Sequence, residues 1–368
     1  LLKRQLRHRH RISLPYKCLP KNYLSPQILA IILNSIKPFA ILTLKKEKIF
    51  VRIDTKKIRG FYMQKIIVLI GPTGIGKTEL ALDLAPKINA EIISGDSMQI
   101  YQEVSIGTAK PTDEELKRVK HYLINQRSIF EEYSVKDFVA EGTKAVDKIV
   151  ADGAIPLVVG GTGFYINALV NQLQLGEPGE YQTSVDPQWE EYLKENGENK
   201  LWDVLQVKDP AAAEKIAPQN SRRTLRALTV ISRTGKLFSE QQRKITPRYD
   251  ALILGLNSDR EEVYQRINMR VDKMMEHGLL QEAKFVYENR SREHQVIQAI
   301  GYKEFFPYFS GEKTLDECVN KLKQASRKYA KRQLTYFKHQ LPVVWLDPLQ
   351  DEKVSEKALR KINEFLNK

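Results

Sequence analysis

Residues 65–78 read Lys65-Ile-Ile-Val-Leu-Ile70-Gly71-Pro-Thr-Gly-Ile-Gly76-Lys77-Thr78, a short apolar run that passes directly into a glycine-rich turn. An apolar run of this kind that stops at glycine is typical of a strand buried on both faces of a parallel sheet. The turn matches G-x-x-x-x-G-K-[ST], the phosphate loop, and a helix follows it, which is the context that the motif requires. The stretch therefore predicts a strand, a phosphate-binding loop and a helix in that order.

The glycines of this loop let the backbone turn several N–H groups toward one point, and the start of the next helix adds positive potential there. Lys77 is expected to meet phosphate oxygens, and Thr78 can ligate Mg²⁺. Enzymes that use ATP at such a loop usually place a metal-binding acid at the end of a second apolar strand. Here that strand, Ile155-Pro-Leu-Val-Val159, runs into Gly160-Gly-Thr-Gly163 without Asp. We therefore expect the loop to hold something other than ATP.

An acid does follow a different apolar strand. Asp96 comes directly after Glu91-Ile-Ile-Ser-Gly95, so it is expected at the carboxyl end of the second strand, facing the phosphate loop. A carboxylate in that place can be a metal ligand, a general base or a helix cap. Position alone leaves these three roles open.

Further apolar runs have the length of strands and alternate with helical patterns such as 134–152. They lie at Ala90–Ser94, Ile155–Val159, Ala251–Leu256 and Pro342–Leu346. Strands that alternate with helices predict an α/β fold. Together with the loop motif, they predict a P-loop NTPase-like core with a largely parallel sheet.

The segment 178–247 interrupts this alternation with helical patterns only, such as Pro187–Asn196 and a helix capped by Asp209 and opened by Pro210. We interpret it as an inserted all-helical subdomain. The core would then be made of two parts, 63–177 and 248–368, and the second part carries a basic helix near its C-terminus.

The positive charge of the chain is concentrated in a few segments. Its 368 residues carry a formal net charge of +14, but residues 1–62 hold fifteen Lys or Arg and two acids. The remaining residues hold 44 basic and 43 acidic side chains, so whole-chain charge says nothing about nucleic acid. Two basic clusters remain: 208–248, with ten Lys or Arg against three acids, and 321–338, with seven and none. Because phosphate neutralisation is local, these clusters predict an RNA-binding face.

Residues 1–62 begin without Met and show no sustained hydrophobic periodicity. The first clear strand follows Met63. A start site assigned too early, an organelle targeting tail and a genuine basic arm would each produce such a segment. We favour the first of these interpretations.

Several classes of protein are excluded by composition. Cys18 and Cys318 are the only cysteines and lie far apart, which argues against a disulfide scaffold and favours a reduced, intracellular setting. No apolar run approaches the roughly 18 to 20 residues of a membrane-spanning helix. We expect a soluble, cytoplasmic protein without a membrane partner, and a monomer.

Seven separate blocks of the sequence, in this order, resemble the tRNA dimethylallyltransferase family, the tRNA isopentenyltransferases. They are Gly71–Thr78, Asp96–Tyr101, Ile106–Pro111, Gly160–Tyr165, Arg222–Leu228, Ala299–Lys303 and Tyr329–Gln333. The resemblance implies transfer of a dimethylallyl group from dimethylallyl diphosphate to N6 of the adenosine at tRNA position 37, beside the anticodon, with release of diphosphate. Two distant cysteines cannot build the zinc finger that eukaryotic relatives can add, so the bacterial type is the better match.

The resemblance also implies roles for the reacting groups. Asp96 would orient the adenosine amine and take its proton, and Thr162 would donate a hydrogen bond to the oxygen that leaves carbon. Lys77 would stabilise the departing diphosphate, with Mg²⁺ on Thr78. The groups expected to bind diphosphate are Gly71, Pro72, Thr73, Gly74, Ile75, Gly76, Lys77, Thr78 and Arg260. Arg266 is a further candidate for binding diphosphate. An exposed helix face, paired with Glu261 and Glu262, would explain Arg260 and Arg266 nearly as well.

The anticodon stem-loop of tRNA is the expected macromolecular partner. The residues expected to contact it are Asp96, Ser97, Met98, Gln99, Thr162, Arg222, Arg223, Thr224, Leu225, Arg226, Arg327, Lys331 and Arg332. Tyr302 and Trp345 are interpreted as packing residues, and His277 and His294 receive no role.

Two other functions are compatible with a phosphate loop. One is an ATP-dependent kinase that acts on a small molecule, and the other is an RNA-binding switch that uses a nucleotide without catalysis. Labelled dimethylallyl diphosphate would mark RNA only if the protein is the transferase.

Overall fold

The computed structural model describes residues 63–173, 185–240, 246–292 and 295–367, together with the backbone of two strands nearer the N-terminus. Those strands, β1 (Phe39–Leu44) and β2 (Glu47–Arg52), pair antiparallel with each other. They belong to a compact unit that is separate from Gln64–Lys368. The interpretation of residues 1–62 therefore stays a prediction.

The second unit is built on one six-stranded sheet. Its strands are β3 (Lys65–Ile70), β4 (Ala90–Ser94), β5 (His121–Tyr122), β6 (Ile155–Gly160), β7 (Asp250–Leu256) and β8 (Val344–Leu346). All neighbouring pairs are parallel, in the spatial order β5-β4-β6-β3-β7-β8. The predicted α/β fold with a parallel, P-loop-type core is confirmed.

Helices follow most of the strands. They are α1 (Lys77–Lys87), α2 (Asp113–Arg118), α3 (Val135–Ala151), α4 (Gly163–Val170), α5 (Pro187–Lys208), α6 (Pro210–Ala213), α7 (Ser221–Thr234), α8 (Arg260–Glu276), α9 (Leu279–Glu288), α10 (Phe306–Phe309), α11 (Leu315–Gln340) and α12 (Val354–Leu366). Short 3₁₀ turns lie at Arg290–Arg292, Gln295–Gln298 and Lys303–Phe305. Helices α8 and α9 are separated at Gly278, which adopts φ 99°. Among the described residues, no helix is long and apolar enough to cross a membrane.

The central strand β3 is buried on both faces, as its continuous apolar run predicts. Ile66, Val68 and Ile70 belong to one hydrophobic cluster, whereas Ile67 and Leu69 belong to another. Side chains alternate between the faces of a strand, so the two clusters are the two helix-covered faces of the sheet. The carboxyl ends of β3, β4 and β6 meet at one edge, where the loops diverge.

The described part of the inserted segment is helical and has its own small core, formed by α5, α6 and α7 around Trp189, Leu201 and Leu228. Asp209 is fully buried at the start of α6, where its carboxylate accepts from the Ala212 and Ser239 N–H groups. The predicted Asp cap is therefore present. Helix α5 is kinked at Gly197, whose φ of 79° is not helical.

The long helix α11 begins at a capping box, in which Thr314 and Glu317 satisfy each other's backbone N–H groups. It runs 26 residues across the carboxyl edge of the sheet. This course brings the basic cluster 321–338 next to the phosphate loop.

Candidate active site

A cavity of about 520 Å³ lies at the carboxyl ends of β3, β4 and β6. It is closed by α8 and α11, and its volume is in the range of small-molecule sites. Nine of the predicted site residues meet there. Those that line it are Thr73, Lys77, Thr78, Asp96, Ser97, Met98, Gln99, Arg222 and Arg332.

The phosphate loop leads into α1, whose N-cap residue Gly76 adopts φ 104° and offers no side-chain cap. The first N–H groups of this helix are therefore available to an anion. Lys77 Nζ donates to the carbonyl oxygens of Gly71 at 2.9 Å and Pro72 at 2.8 Å. The loop thus has both the backbone donors and the ammonium group that a diphosphate needs.

Two members of the predicted diphosphate set have other partners. The Thr73 N–H donates to Oε1 of Gln333 at 2.9 Å, so this amide is already satisfied by protein. The Ile75 side chain is buried in the hydrophobic cluster beneath the loop. Within the predicted loop, the Thr73 N–H is therefore already engaged by a side chain, and Ile75 contributes its side chain to the core.

Of the two arginines named as candidates, Arg266 and not Arg260 contacts the loop. Arg260 is exposed, stacks on the ring of Tyr264 and does not line the cavity. Arg266 Nε instead donates to the Gly74 carbonyl at 3.0 Å. Arg270, one turn further along α8, lines the cavity beside Lys77. Arg270 was missed, although its spacing of four from Arg266 places both on one helix face.

Lys77, Arg270 and Asp96 form a half-buried charge cluster. Burial, with a smaller contribution from Arg270, lowers the pKa of Lys77 to about 7, and the Asp96 carboxylate opposes this shift. Burial also lowers the pKa of Arg270, which Asp96 again opposes. With two cations for one carboxylate, the cluster attracts a further anion.

Asp96 lies at the carboxyl end of β4, facing the loop as predicted. Its Oδ1 accepts from the Met98 N–H at 2.9 Å, within a turn that no helix follows, so the helix-cap role is wrong. Burial raises the pKa of Asp96, although the backbone hydrogen bond from Met98 and the charges of Lys77 and Arg270 act against it. A carboxylate with a raised pKa is a stronger base.

Thr162 follows β6 and stands one layer behind the cavity wall. Its Oγ1 accepts from the Ser97 N–H at 3.1 Å and donates to Ser97 Oγ at 3.3 Å. The turn is compact because Gly160 packs on Gly95, where a Cβ atom would lie 2.3 Å from the backbone. To donate to a bound group, the Thr162 hydroxyl would exchange its hydrogen bond to Ser97 Oγ.

Gln99 shapes the wall opposite the loop. Its Nε2 donates to the carbonyl oxygens of Thr108 and Ala109, each at 3.3 Å, and its Oε1 accepts from Ser94 Oγ at 2.8 Å. Met98 and Ser97 also line the cavity. The predicted block from Asp96 to Gln99 thus stands together at one wall.

The predicted RNA residues of α7 divide into two groups. Arg222, Arg223 and Arg226 are exposed. Thr224 is fully buried, and Leu225, 8% exposed, lies in the core of the helical segment. The structure contradicts a tRNA contact by either of these side chains, because both point away from the basic face.

The basic cluster of α11 is similarly mixed. Arg332 lines the cavity and stacks on Tyr329, and Lys331 is exposed. Arg327 is tied to α8, since its Nη1 donates to Asn268 Oδ1 at 2.6 Å.

Tyr302 is buried and donates to Glu282, which agrees with a packing role. His277 is exposed, and His294 lies outside the described residues.

A family model described as IPP transferase matches residues 99–340. The chain belongs to the IPP transferase family. A relative from Lactobacillus johnsonii, named tRNA dimethylallyltransferase, is 98% identical over 306 residues, which cover 83% of this chain and all of the relative. The chain is thus similar to a bacterial IPP transferase along that relative's whole length.

Two solved structures agree with this assignment. The full-length tRNA isopentenylpyrophosphate transferase of Bacillus halodurans is 40% identical, with a TM-score of 0.62, over 83% of this chain and 97% of that one. A eukaryotic dimethylallyltransferase acting on tRNA is 33% identical, with a TM-score of 0.70, over 83% of this chain and 80% of that one. The parallel sheet and the cavity at its carboxyl edge therefore occur in an IPP transferase fold.

Proposed function

We propose that this enzyme transfers the dimethylallyl group of dimethylallyl diphosphate to N6 of the adenosine at tRNA position 37. The observation that carries the proposal is the cavity that holds Lys77, Arg270 and Asp96 together and is bordered by Arg222 of α7. Two cations suit a diphosphate, a carboxylate suits an amine, and a cavity beside a basic helix suits RNA. The family assignment points to the same reaction.

The amine of adenosine attacks the allylic carbon while the carbon–oxygen bond to diphosphate breaks. The electron pair of that bond leaves with the diphosphate, and the amine loses one proton. In this proposal Asp96 accepts a hydrogen bond from N6, orients its lone pair and takes the proton. Because both reactants are held in one cavity, orientation contributes much of the rate.

The departing diphosphate gains negative charge as it leaves. Lys77, Arg270 and the N–H groups from Gly74 to Thr78 face that charge, and such preorganised donors are worth most in a cavity that excludes water. The apolar side chains of Ile267 and Val271 line the same cavity and suit the dimethylallyl group. The Thr162 hydroxyl is assigned to the bridging oxygen, once it releases Ser97.

Mg²⁺ fits this site through few protein ligands. The described residues contain no group of three His, Cys, Asp or Glu side chains that would hold a metal alone. Thr78 lines both the main cavity and a neighbouring one of about 420 Å³, where Glu79 and Glu115 also stand. Mg²⁺ commonly binds with one or two protein oxygens, waters and substrate phosphates. Bound there, it would neutralise diphosphate charge.

The kinase alternative lacks a metal-binding acid in its usual place. Strand β6 neighbours β3 and ends at Gly160, where the Gly95 backbone lies too close for any side chain. The family assignment supports prenyl transfer over phosphoryl transfer. We further propose that the enzyme acts in the cytoplasm and as a monomer.

The direct test is transfer of label. Incubation with labelled dimethylallyl diphosphate and unmodified tRNA should label the RNA without ATP, and digestion should recover the label on N6 of one adenosine. A matched tRNA with guanosine at that position serves as the control. Labelling that requires ATP, or that appears equally on the control, would overturn the proposal.

Reversing charge on the exposed face of α7 should weaken tRNA binding. The double variant R222E and R223E is expected to bind tRNA more weakly. The slope of log affinity against log salt concentration should also become shallower, by about 0.7 to 0.9 for each phosphate that is no longer neutralised. Filter binding across a salt series measures both quantities. Lys144→Glu is the control, because Lys144 is an exposed residue of α3 that does not line the cavity. An unchanged slope in the double variant would place the RNA elsewhere.

A further inference from the structure

The side chain of Gln333 joins two loops of the active site. Its Oε1 accepts from the Thr73 N–H of the phosphate loop at 2.9 Å. Its Nε2 donates to the carbonyl oxygen of Gly161, after β6, also at 2.9 Å. Gln333 belongs to α11 and is only 5% exposed. One carboxamide thus ties together three parts of the chain that are far apart in sequence.

The bridge demands one acceptor and one donor at the end of a side chain of this length. Glu offers only acceptors and would face the Gly161 carbonyl oxygen, whereas Met offers neither. The fit is also close, since a Cβ atom on Gly161 would lie 2.3 Å from Nε2 of Gln333. A side chain at 161 would therefore displace the carboxamide of Gln333 from its present position.

In the proposed function the two loops act on different parts of the same diphosphate. Thr73 belongs to the loop that holds the donor diphosphate, and Gly161 precedes Thr162, which is assigned to the leaving oxygen. Gln333 also neighbours Arg332, which lines the cavity on the side of the basic helix. Since β3 and β6 are adjacent strands, their loops can move apart only beyond the sheet edge, where Gln333 holds them.

We propose that Gln333 is a positioning residue for the transfer, one that fixes the phosphate loop against the Gly161–Thr162 turn and against α11. This inference rests on the proposed function for its kinetic consequence, but not for the bridge itself. By occupying the Thr73 N–H, Gln333 also leaves the diphosphate to the amides from Gly74 onward. Gln333 lines the cavity, but its carboxamide is engaged at both ends by the Thr73 N–H and the Gly161 carbonyl oxygen, so its loss should disturb geometry more than binding.

The kinetic test compares Gln333→Met with Gln324→Met. Gln324 is an exposed residue of the same helix that does not line the cavity, so both variants lose a carboxamide from α11. Gln333→Met should lower the single-turnover rate at saturating substrates by about a hundredfold, the effect of a misplacement near 1 Å. The dissociation constants for tRNA and donor should stay within about threefold of wild type. Gln324→Met should match wild type throughout.

A second measurement does not depend on activity. Hydrogen exchange of the peptide that contains Thr73 should be faster in Gln333→Met than in wild type, because that amide loses its buried acceptor. Gln333→Glu keeps this acceptor and loses only the donor to Gly161, so it should protect Thr73 and still transfer slowly.

The outcomes separate this inference from the proposed function. Wild-type enzyme that fails to label tRNA would overturn the function and leave the exchange experiment as the test of the bridge. A Gln333→Met rate within about threefold of wild type would refute the positioning role. Unchanged hydrogen exchange at Thr73 in Gln333→Met would also refute that role. A rate loss in Gln324→Met equal to that in Gln333→Met would refute it as well. If Gln333→Met does not fold, normal transfer by folded Gln333→Glu would refute it.

Discussion

Replacing Asp96 by Asn is expected to lower the single-turnover rate of transfer by at least about a hundredfold, the lower range of what a general base contributes. The amide of Asn can still accept the Met98 N–H through its oxygen, so the turn after β4 should keep its shape. What is lost is the negative charge that takes the proton of N6 and orients its lone pair. Rapid-quench measurement at saturating tRNA and donor isolates this step.

The pH profile of the same variant tests the assignment independently. Burial raises the pKa of Asp96, so the wild-type rate should rise with pH as the carboxyl group ionises. Asp96→Asn has no such group and should lose that ionisation from its profile. tRNA affinity should change little, since the exposed arginines of α7 are untouched. A single-turnover rate within about tenfold of wild type would show that Asp96 is not the base.

The parts of the site that the sequence predicts correctly are those whose signal is local. An apolar run followed by a glycine motif defines β3, the loop and α1 within fourteen consecutive residues, 65–78. Asp96 is predictable for the same reason, because the end of a parallel strand is a known location before the fold is known. Edge strand β5 was missed: it has two residues, no apolar run, and depends on pairing with β4.

The residues that the sequence did not reveal depend on packing between distant segments. Gln333 and Thr73 are 260 residues apart, and no spacing rule connects them. Arg270 rather than Arg260 lines the cavity because α8 crosses the loop near its middle.

The error on α7 was avoidable from helical periodicity. Arg222, Arg223 and Arg226 share one face, and the intervening Thr224 and Leu225 must then face the other. A contiguous block of a helix does not form one surface, because a helix presents only part of that block to a partner.

Replacing Lys77 by Met should give the second large effect. The ammonium group faces the charge of the departing diphosphate, and loss of one such group commonly costs about a hundredfold to a thousandfold in rate. Donor affinity should fall as well, because the bound diphosphate is already anionic. Lys87→Met is the control: it makes the same change on the same helix, but Lys87 is exposed and pairs with Asp83. Such an exposed pair contributes little.

The pH dependence of donor binding distinguishes a direct role of Lys77 from a structural one. Burial lowers the pKa of Lys77 to about 7, so the free enzyme loses this positive charge as the pH rises through that value. Diphosphate favours the protonated form, and binding above pH 7 must therefore take up a proton. The donor dissociation constant should increase with pH by up to about tenfold per unit, the limit for one linked proton. In Lys77→Met the donor dissociation constant should be larger, and it should lack this dependence on pH. A variant that retained the wild-type slope would assign the titration, and with it the phosphate contact, to another group.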